Sequence, residues 1–272
     1  MADAPVRARG RPKSFHDQTA SATIRSLDRA MGILKIVASG TGMTLSEVAA
    51  ASDQAPATVY RVLTTLGKHR ICEFEETTQL WHIGAEAFRI GSRFLGRTHV
   101  VEQSRPEMER LMNETGETAN LAIIDRGEVI FISQVETHEP IRAFFRPGTR
   151  GPVHASGIGK AILAHESETQ IDVILADGEL RSFTANTIDD PMRLKSELAT
   201  IRERGWSVDD EERTAGMRCI AAPIFNQHSQ AVAGISVSGP SVRMTADRDD
   251  TLGQLVRRSA DSVTAALGGT MQ

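Results

Sequence analysis

The chain has 272 residues, enough for two folding units with sizeable cores. With 40% hydrophobic and 24% charged residues it resembles ordinary globular proteins, and no apolar run approaches the ~20 residues that cross a bilayer, which excludes a membrane span. The basic N-terminus has no apolar run behind it, so we expect no secretory signal. Only two cysteines occur, far apart in sequence, so we expect a reducing, cytoplasmic location without disulfides.

The charge is unevenly divided along the chain. The formal net charge is −4, which taken whole argues against a nucleic-acid binder. Residues 1–99, however, carry 13 Lys or Arg against 9 Asp or Glu, so this part is at +4 and the remainder is at −8. Such asymmetry indicates either a nucleic-acid-facing segment joined to a different module or merely an uneven solvated surface.

Three short helices are predicted in the first third. Residues 26–38 space apolar side chains as a helix does, with Ser26 as the candidate N-cap. Thr44 and Glu47 match the capping box that opens a helix. Pro56 suits the first position of a third helix, which has an apolar stripe at Val59, Val62, Leu63 and Leu66.

The outer face of the third helix is small, hydroxylated and basic. Two helices joined by a short turn, the second with such a face, predict a helix-turn-helix whose recognition helix enters the major groove. In it Arg61 reads a guanine or holds a phosphate, and Tyr60 donates to a phosphate. The predicted DNA-binding residues are Arg25, Thr44, Ser46, Ala57, Thr58, Tyr60, Arg61, Thr64 and Lys68.

Two features flank the helices. Residues 71–74 and 80–83 are predicted as the strands of a wing, whose acidic tip is not expected to grip phosphate strongly. The basic tail, residues 1–22, is expected to be disordered. Its Arg9-Gly10-Arg11-Pro12 segment resembles an AT-hook for the minor groove, and the alternative is a basic tail without that role.

The remaining chain predicts an α+β domain. We expect the winged helix-turn-helix to cover residues 23–85, a linker helix residues 86–99 and the second domain residues 100–268, with a helix starting at Ser104. Hairpins at both ends with helices between them indicate an antiparallel sheet. The predicted strands are Ala119–Asp125, Glu128–Val135, Ile141–Arg146, Met217–Phe225 and Ala231–Ser238, and the predicted helices are Gly159–His165, Glu168–Leu175, Met192–Arg204 and one through Leu252–Val263.

The sequence offers little catalytic chemistry. The segment 154–160 lacks the spacing and the Ser or Thr of a phosphate loop, and Gly234–Ser238 lacks a glycine of the nucleophile elbow. No His or Cys completes a metal site with the acidic run 209–212, which is typical of a solvated loop. We therefore predict no enzyme, no cofactor and no metal, and a sensor domain whose Gly157–Lys160 backbone suits an anion.

Several segments of the sequence resemble the IclR family of bacterial transcription regulators, and the resemblance covers residues 25–268. The resemblance is carried by Arg25-Ser26-Leu27-Asp28-Arg29-Ala30, Pro56-Ala57-Thr58-Val59-Tyr60-Arg61-Val62-Leu63, Ile83-Gly84, Glu117-Thr118, 152–161, Asp210-Glu211-Glu212 with Gly216, 219–223 and 236–240. It implies a winged helix-turn-helix, a linker helix and a GAF-like effector domain. It also implies a homodimer or dimer of dimers on a palindromic double-stranded operator.

The resemblance further implies an effector, usually a small organic acid. The stretch 206–240 looks most like the glyoxylate- and pyruvate-responsive family member that controls the acetate operon, or a regulator of another glyoxylate-assimilation route. The effector contacts carried over are Ala143, Gly157, Ile158, Asp209, Met217, Cys219, Ser236 and Ser238. At Pro140, Ala143 and Gly151 the chain departs from that relative, which has larger apolar residues at these positions. The departures alter the expected volume of the pocket.

We hypothesise that the carboxylate of the effector is held by the amides of Gly157 and Ile158 and by the hydroxyls of Ser236 and Ser238. Asp209 accepts a hydrogen bond from a hydrated aldehyde or hydroxyl. Alternatives are a different carboxylate or an aromatic acid as effector, an enzyme acting on a small acid with a DNA-binding anchor, and a constitutive architectural DNA binder. RNA polymerase is a further candidate partner, and whether the protein activates or represses stays open.

Overall fold

The computed structural model describes residues 23–95, 99–176 and 180–270, so the N-terminal tail and its AT-hook-like segment lie outside the described residues. The helices are α1 (Arg25–Ser39), α2 (Leu45–Ser52), α3 (Pro56–Lys68), α4 (Ala85–Leu95), α5 (Val100–Thr115), α6 (Gly157–Leu163), α7 (Glu168–Ala176), α8 (Pro191–Arg204) and α9 (Asp249–Ala266). The strands are β1 (Cys72–Glu75), β2 (Leu80–Ile83), β3 (Thr118–Asp125), β4 (Glu128–Val135), β5 (Arg150–Pro152), β6 (Ser207–Asp210), β7 (Met217–Phe225) and β8 (Ala231–Pro240). None of the described helices is long and apolar enough to cross a membrane.

The chain divides into two compact units between Phe94 and Leu95. In the first unit α1, α2 and α3 enclose a small apolar core against the β1–β2 hairpin. The capping box at the start of α2 is confirmed, because Thr44 accepts from the Glu47 amide and the Glu47 carboxylate accepts from the Thr44 amide at 2.8 Å. Pro56 is the first residue of α3, as expected from its fixed φ and missing N–H.

The second unit is built on a six-stranded sheet in the order β5-β4-β3-β8-β7-β6, and every neighbouring pair is antiparallel. The β3–β4 turn places Arg126 and Gly127 in the left-handed region, which fits a two-residue hairpin loop. The α+β class and the winged helix-turn-helix are therefore confirmed.

Helices cover both faces of this sheet. One face packs on α5 and α9 through an apolar layer that includes Met108, Leu121, Ile235 and Val256. The other face packs on α6 and α8 through a layer that includes Val129, Ile158 and Leu198. Because successive residues of a strand face opposite sides, each central strand contributes alternate residues to the two layers.

Three local expectations were wrong. Ile24, not Ser26, is the N-cap of α1. The second domain's first helix begins at Val100 instead of Ser104, because Val100 is itself buried in the core and extends the apolar stripe by a turn. Residues 141–146 form no strand: β4 pairs instead with β5, while Phe145 uses its ring to stack on Phe131 at 4.4 Å.

The helix after the wing, α4, spans Ala85–Leu95, and His99, with a left-handed φ of 51°, directly precedes α5. Residues 96–98 lie outside the described residues, so the linker helix predicted for 86–99 stays a prediction there. One further element differs from expectation. Strand β6 occupies the start of the acidic run that resembled a solvated loop. It pairs with β7, which holds Asp209 against the sheet while Asp210 stays exposed.

Candidate functional site

The first candidate site is the outer face of α3. Tyr60, Arg61, Thr64 and Lys68 are exposed there, and Thr58 is half-buried. Within the described residues the guanidinium of Arg61 has no hydrogen-bond or ion-pair partner, although its carbonyl accepts from Thr65 at 2.7 Å. An exposed, unpaired cation beside hydroxyl groups suits phosphate and base-edge contacts.

A cleft beside α3 adds a residue that the sequence analysis missed. Arg29 of α1 lines it together with Arg61 and Thr58. The helical spacing of α1 contained the signal, since Arg29 lies outside its apolar stripe. Two guanidinium groups on one cleft raise the local positive potential.

The remaining DNA-binding candidates differ in whether their side chains are available to contact DNA. Arg25, Ser46 and Ala57 are exposed. The hydroxyl of Thr44 is already committed, because it donates to the Glu47 carboxylate at 2.9 Å within the capping box. Its role at the helix terminus is therefore structural in this unit, and contact with DNA would compete with that hydrogen bond.

The second candidate site is a small pocket of the second unit, between α6 and the sheet. It encloses a volume of about 80 Å³. Asp209, Cys219 and Ser238 lie side by side across β6, β7 and β8, since Asp209 pairs with Cys219 and Cys219 with Ser238. The N-terminus of α6 closes over this row.

Five of the eight predicted effector residues line the pocket: Gly157, Ile158, Asp209, Cys219 and Ser238. The other three do not. Ala143 is buried in the irregular segment after β4, and Met217 lies opposite Pro240 at the far end of β7. Ser236 lies opposite Ala221, further under α6, where its hydroxyl is buried and makes no hydrogen bond to the described residues.

Eight further residues line the pocket and were not among the predicted effector contacts: Phe131, Phe145, Thr149, Arg150, Gly151, Ala155, Ser156 and Arg213. Of these, only Gly151 was singled out in the sequence, as a departure that alters the pocket volume. Ser156 had a local signal, because it precedes the helix that it caps, accepting from the Gly159 amide at 3.3 Å. The residues from 131 to 150 come from β4, β5 and the segment between them, which the fold brings to the pocket.

The polar groups of the pocket are in an apolar setting. Burial raises the pKa of the Asp209 carboxyl to about 6, although the carboxyl accepts from the Glu212 amide at 2.8 Å, which lowers it. Burial also raises the pKa of the Cys219 thiol to about 11, and the neighbouring Asp209 charge adds to that increase. The thiol therefore stays protonated at neutral pH and can act as a weak hydrogen-bond donor.

A buried ion pair underlies the pocket. Lys160 of α6 donates to the carboxylate of Glu212, and both side chains are almost wholly buried. Burial raises the pKa of the Glu212 carboxyl, while the Lys160 charge lowers it. One Glu212 oxygen has no hydrogen-bond partner among the described residues. Ser207 adds a second tie, because its hydroxyl donates to the Gly157 carbonyl at 2.6 Å.

The segment after β6 is tied down by the loop before α8. Thr184 donates to the Glu211 carbonyl at 2.7 Å, and Thr187 donates to the Glu212 carbonyl at 2.5 Å. Asn186 donates to the Asp210 carbonyl at 3.0 Å. These hydrogen bonds fix the backbone of residues 210–212, between the pocket residues Asp209 and Arg213. In the part of the chain that the structure describes, no cluster of three or more His, Cys, Asp or Glu is arranged to hold a metal.

Comparison with known proteins assigns a family to each of the two units. The model for the IclR helix-turn-helix domain matches residues 26–75, and the model for the C-terminal domain of the bacterial transcriptional regulator IclR matches residues 92–265. The chain is 50% identical over 258 residues to the HTH-type transcriptional regulator BhcR of Paracoccus denitrificans, covering 94% of this chain and 92% of that protein.

Two further proteins extend this picture. The transcriptional repressor IclR of Escherichia coli is 38% identical over 270 residues, covering 98% of each chain. The crystal structure of an IclR homologue from Microbacterium hydrocarbonoxydans, complexed with 4-hydroxybenzoate, aligns with a TM-score of 0.80 at 23% identity, covering 89% of this chain and 98% of that one. This last likeness shows the fold.

The fold and the two sites define a DNA-binding transcriptional regulator with a C-terminal effector-binding domain. The chain belongs to the IclR family of transcriptional regulators. The matched families and relatives are regulators, so the expectation that the protein is not an enzyme is confirmed.

We predict that Lys160→Met destabilises the second unit by about 3–5 kcal/mol, because it leaves the Glu212 carboxylate buried without its ammonium partner. Urea unfolding followed by circular dichroism measures this loss. The double variant Lys160→Met/Glu212→Met should recover most of it, since no uncompensated charge remains. A double variant no more stable than Lys160→Met alone would contradict this account of the pair.

We also predict that the Asp209 carboxyl makes stability depend on pH. Its pKa in the folded protein is about 6, against an ordinary value near 4, so folding takes up a proton between these values. The contribution is fully present below pH ~4 and is lost as the pH rises through about 6, amounting to about 3 kcal/mol. Asp209→Asn should lack this decrease in urea unfolding, and equal pH slopes for the two proteins would refute it.

Proposed function

We propose that this regulator binds a palindromic operator as a homodimer or dimer of dimers and that a small 2-oxo or hydroxy acid controls that binding. Glyoxylate is the best candidate. The observation that carries the proposal is the pocket in which Asp209, Cys219 and Ser238 meet the N-terminus of α6.

The DNA-binding part of the proposal uses α3. Its exposed Arg61, Tyr60 and Thr64 suit base edges and phosphates of the major groove, with Lys68 contributing charge. Two-fold symmetry then requires two such helices separated by one turn of DNA, about 34 Å, or a multiple of it. The acidic wing contains Glu75 and Glu76 and contributes little phosphate binding.

The size of the pocket supports a small effector. A water-sized group needs roughly 10–15 Å³ of such volume, so about 80 Å³ accommodates about five to eight non-hydrogen atoms. Hydrated glyoxylate falls in this range. An aromatic acid is the second candidate, because the stacked rings of Phe131 and Phe145 line the same pocket and would offer it an apolar wall if they moved apart.

The polar groups support an acid with a second oxygen function. The amides at the start of α6, from Gly157 and Ile158, and the hydroxyl of Ser238 hold the carboxylate in this proposal. Asp209 then accepts from the hydrated aldehyde or hydroxyl. The Cys219 thiol lies between them in the row across the sheet.

A second class makes a different prediction. A constitutive architectural binder would show no calorimetric heat with any small acid and no effector dependence of operator affinity. A gel-shift titration on the DNA upstream of the protein's own coding region, with candidate acids added, separates it from the proposed regulator.

We predict that Arg61→Ala weakens operator binding by about 1–3 kcal/mol, because the guanidinium on α3 loses its base or phosphate contact. Fluorescence anisotropy with a labelled operator at fixed salt measures the change. Lys35→Ala removes one positive charge from the exposed side of α1 and is the control. Equal affinities for Arg61→Ala and the native protein would remove Arg61 from the interface.

We predict that Asp209→Ala abolishes the response to the effector and leaves operator binding without effector intact. The physical reason is that the hydrated aldehyde or hydroxyl loses its acceptor in the pocket. The same anisotropy assay with and without glyoxylate measures the response. Asp172→Ala, at an exposed carboxylate of α7, is the matched control. A full response in Asp209→Ala would show that Asp209 does not bind the effector.

A further inference from the structure

We propose that Arg213 makes the effector pocket select an anionic carboxylate, by pairing its guanidinium with the carboxylate of the bound acid. This inference rests on the proposed function of the pocket and assigns it a specificity-determining residue. It adds a side-chain cation to the backbone amides and the hydroxyl that hold the carboxylate in that proposal.

The turn that follows β6 places Arg213 at the pocket. Arg213 is half-buried and lines the pocket together with Asp209 and Gly151. A Cβ on Gly151 would lie 3.8 Å from the guanidinium carbon of Arg213, an ordinary van der Waals distance, so the head group lies directly beside Gly151. The charged end therefore lies at the pocket wall rather than in open solvent.

The guanidinium lacks an acidic partner in the described part of the chain. Several half-buried or buried arginines of this unit have one: Arg218 pairs with Asp249 at 2.9 Å, Arg243 with Glu117 at 2.6 Å, and Arg204 with Glu197 at 3.0 Å. Arg248, which also lacks an acidic partner among the described residues, donates to the Arg243 carbonyl at 2.7 Å and does not line the pocket. Arg213 instead lies over the ring of Phe183, 5.1 Å from its centroid. A partly desolvated cation without an anion is energetically costly, and a bound carboxylate would compensate it.

The contact with Phe183 orients Arg213. The amide of Phe183 donates to Thr187 at 3.0 Å, and Thr187 in turn donates to the carbonyl preceding Arg213. The ring also faces His154, with centroids 6.0 Å apart. The head group is thus held against a fixed ring, so less side-chain freedom is lost when it binds a ligand.

The charges around the pocket explain why a cation is needed. Asp209, Glu212 and Lys160 together contribute a net charge of −1 when ionised. An entering carboxylate would be repelled by this excess. Arg213 brings the sum to zero, whereas Arg150, also at the pocket, already pairs with Asp125 and Glu128. Arg213 is therefore the cation that is available to the ligand.

Calorimetric titration of the full-length protein with glyoxylate tests the assignment. Arg213→Gln should weaken glyoxylate binding about ten- to hundredfold, because a charge-assisted hydrogen bond is lost. Arg213→Met, which keeps the length and the packing on Phe183 without the charge, should lose as much, so either folded variant suffices. Arg181→Gln is the matched control, since Arg181 lies over the same ring at 5.4 Å but does not line the pocket.

The possible outcomes distinguish the assignment of Arg213 from the proposed function of the pocket. A loss of at least tenfold in Arg213→Gln or Arg213→Met, with Arg181→Gln like the native protein, supports the assignment. A smaller loss in both Arg213 variants overturns it. An equal loss in Arg181→Gln also overturns it and makes the packing on Phe183 the relevant feature. Absence of heat for the native protein with glyoxylate, pyruvate, lactate and other small acids overturns the proposed function and this inference with it.

Discussion

The buried ion pair between Lys160 and Glu212 is the interaction on which the second unit's site depends. It joins the helix above the sheet to the turn that follows the edge strand, and those two segments form opposite walls of the pocket. Neither charge is exposed, so each is tolerated only because the other is present. Together with the apolar packing of α6 on the sheet and the hydrogen bond from Ser207 to the Gly157 carbonyl, this tie keeps α6 over the row of Asp209, Cys219 and Ser238.

The two units use charge in opposite ways. In the first, cations such as Arg61 and Lys68 stand exposed on one helix face, where long-range attraction for a polyanion is strongest. In the second, opposite charges such as Lys160 and Glu212 are buried in a close pair. The net charge of −4 is therefore the sum of a basic first part and an acidic second part, and it describes neither of them.

Local chemistry made part of this molecule predictable from sequence. The capping box at Thr44, Pro56 at a helix start and the Arg126-Gly127 hairpin each depend on residues within a few positions of one another. The sequence-based prediction failed where pairing with residues distant in sequence determines the local structure. Residues 141–146 have strand-like composition, yet 150–152 take the sheet edge, and β6 forms only because β7 pairs with it. Family resemblance located five pocket residues, but it gave no sign of Arg213, whose significance lies in what it fails to pair with.

The glycine at the start of α6 has a consequence for how such a receptor can change its ligand. A Cβ on Gly157 would lie 2.9 Å from the sulfur of Cys219, and one on Gly159 would lie 2.3 Å from the Val153 carbonyl oxygen. Substitution at either glycine would therefore displace the helix that covers the row of Asp209, Cys219 and Ser238 before it altered ligand recognition. At Gly151, which also lines the pocket, a Cβ would meet only ordinary van der Waals contacts, 3.8 Å from the guanidinium carbon of Arg213. Within this architecture the pocket volume can therefore change more readily at Gly151 than at the start of α6.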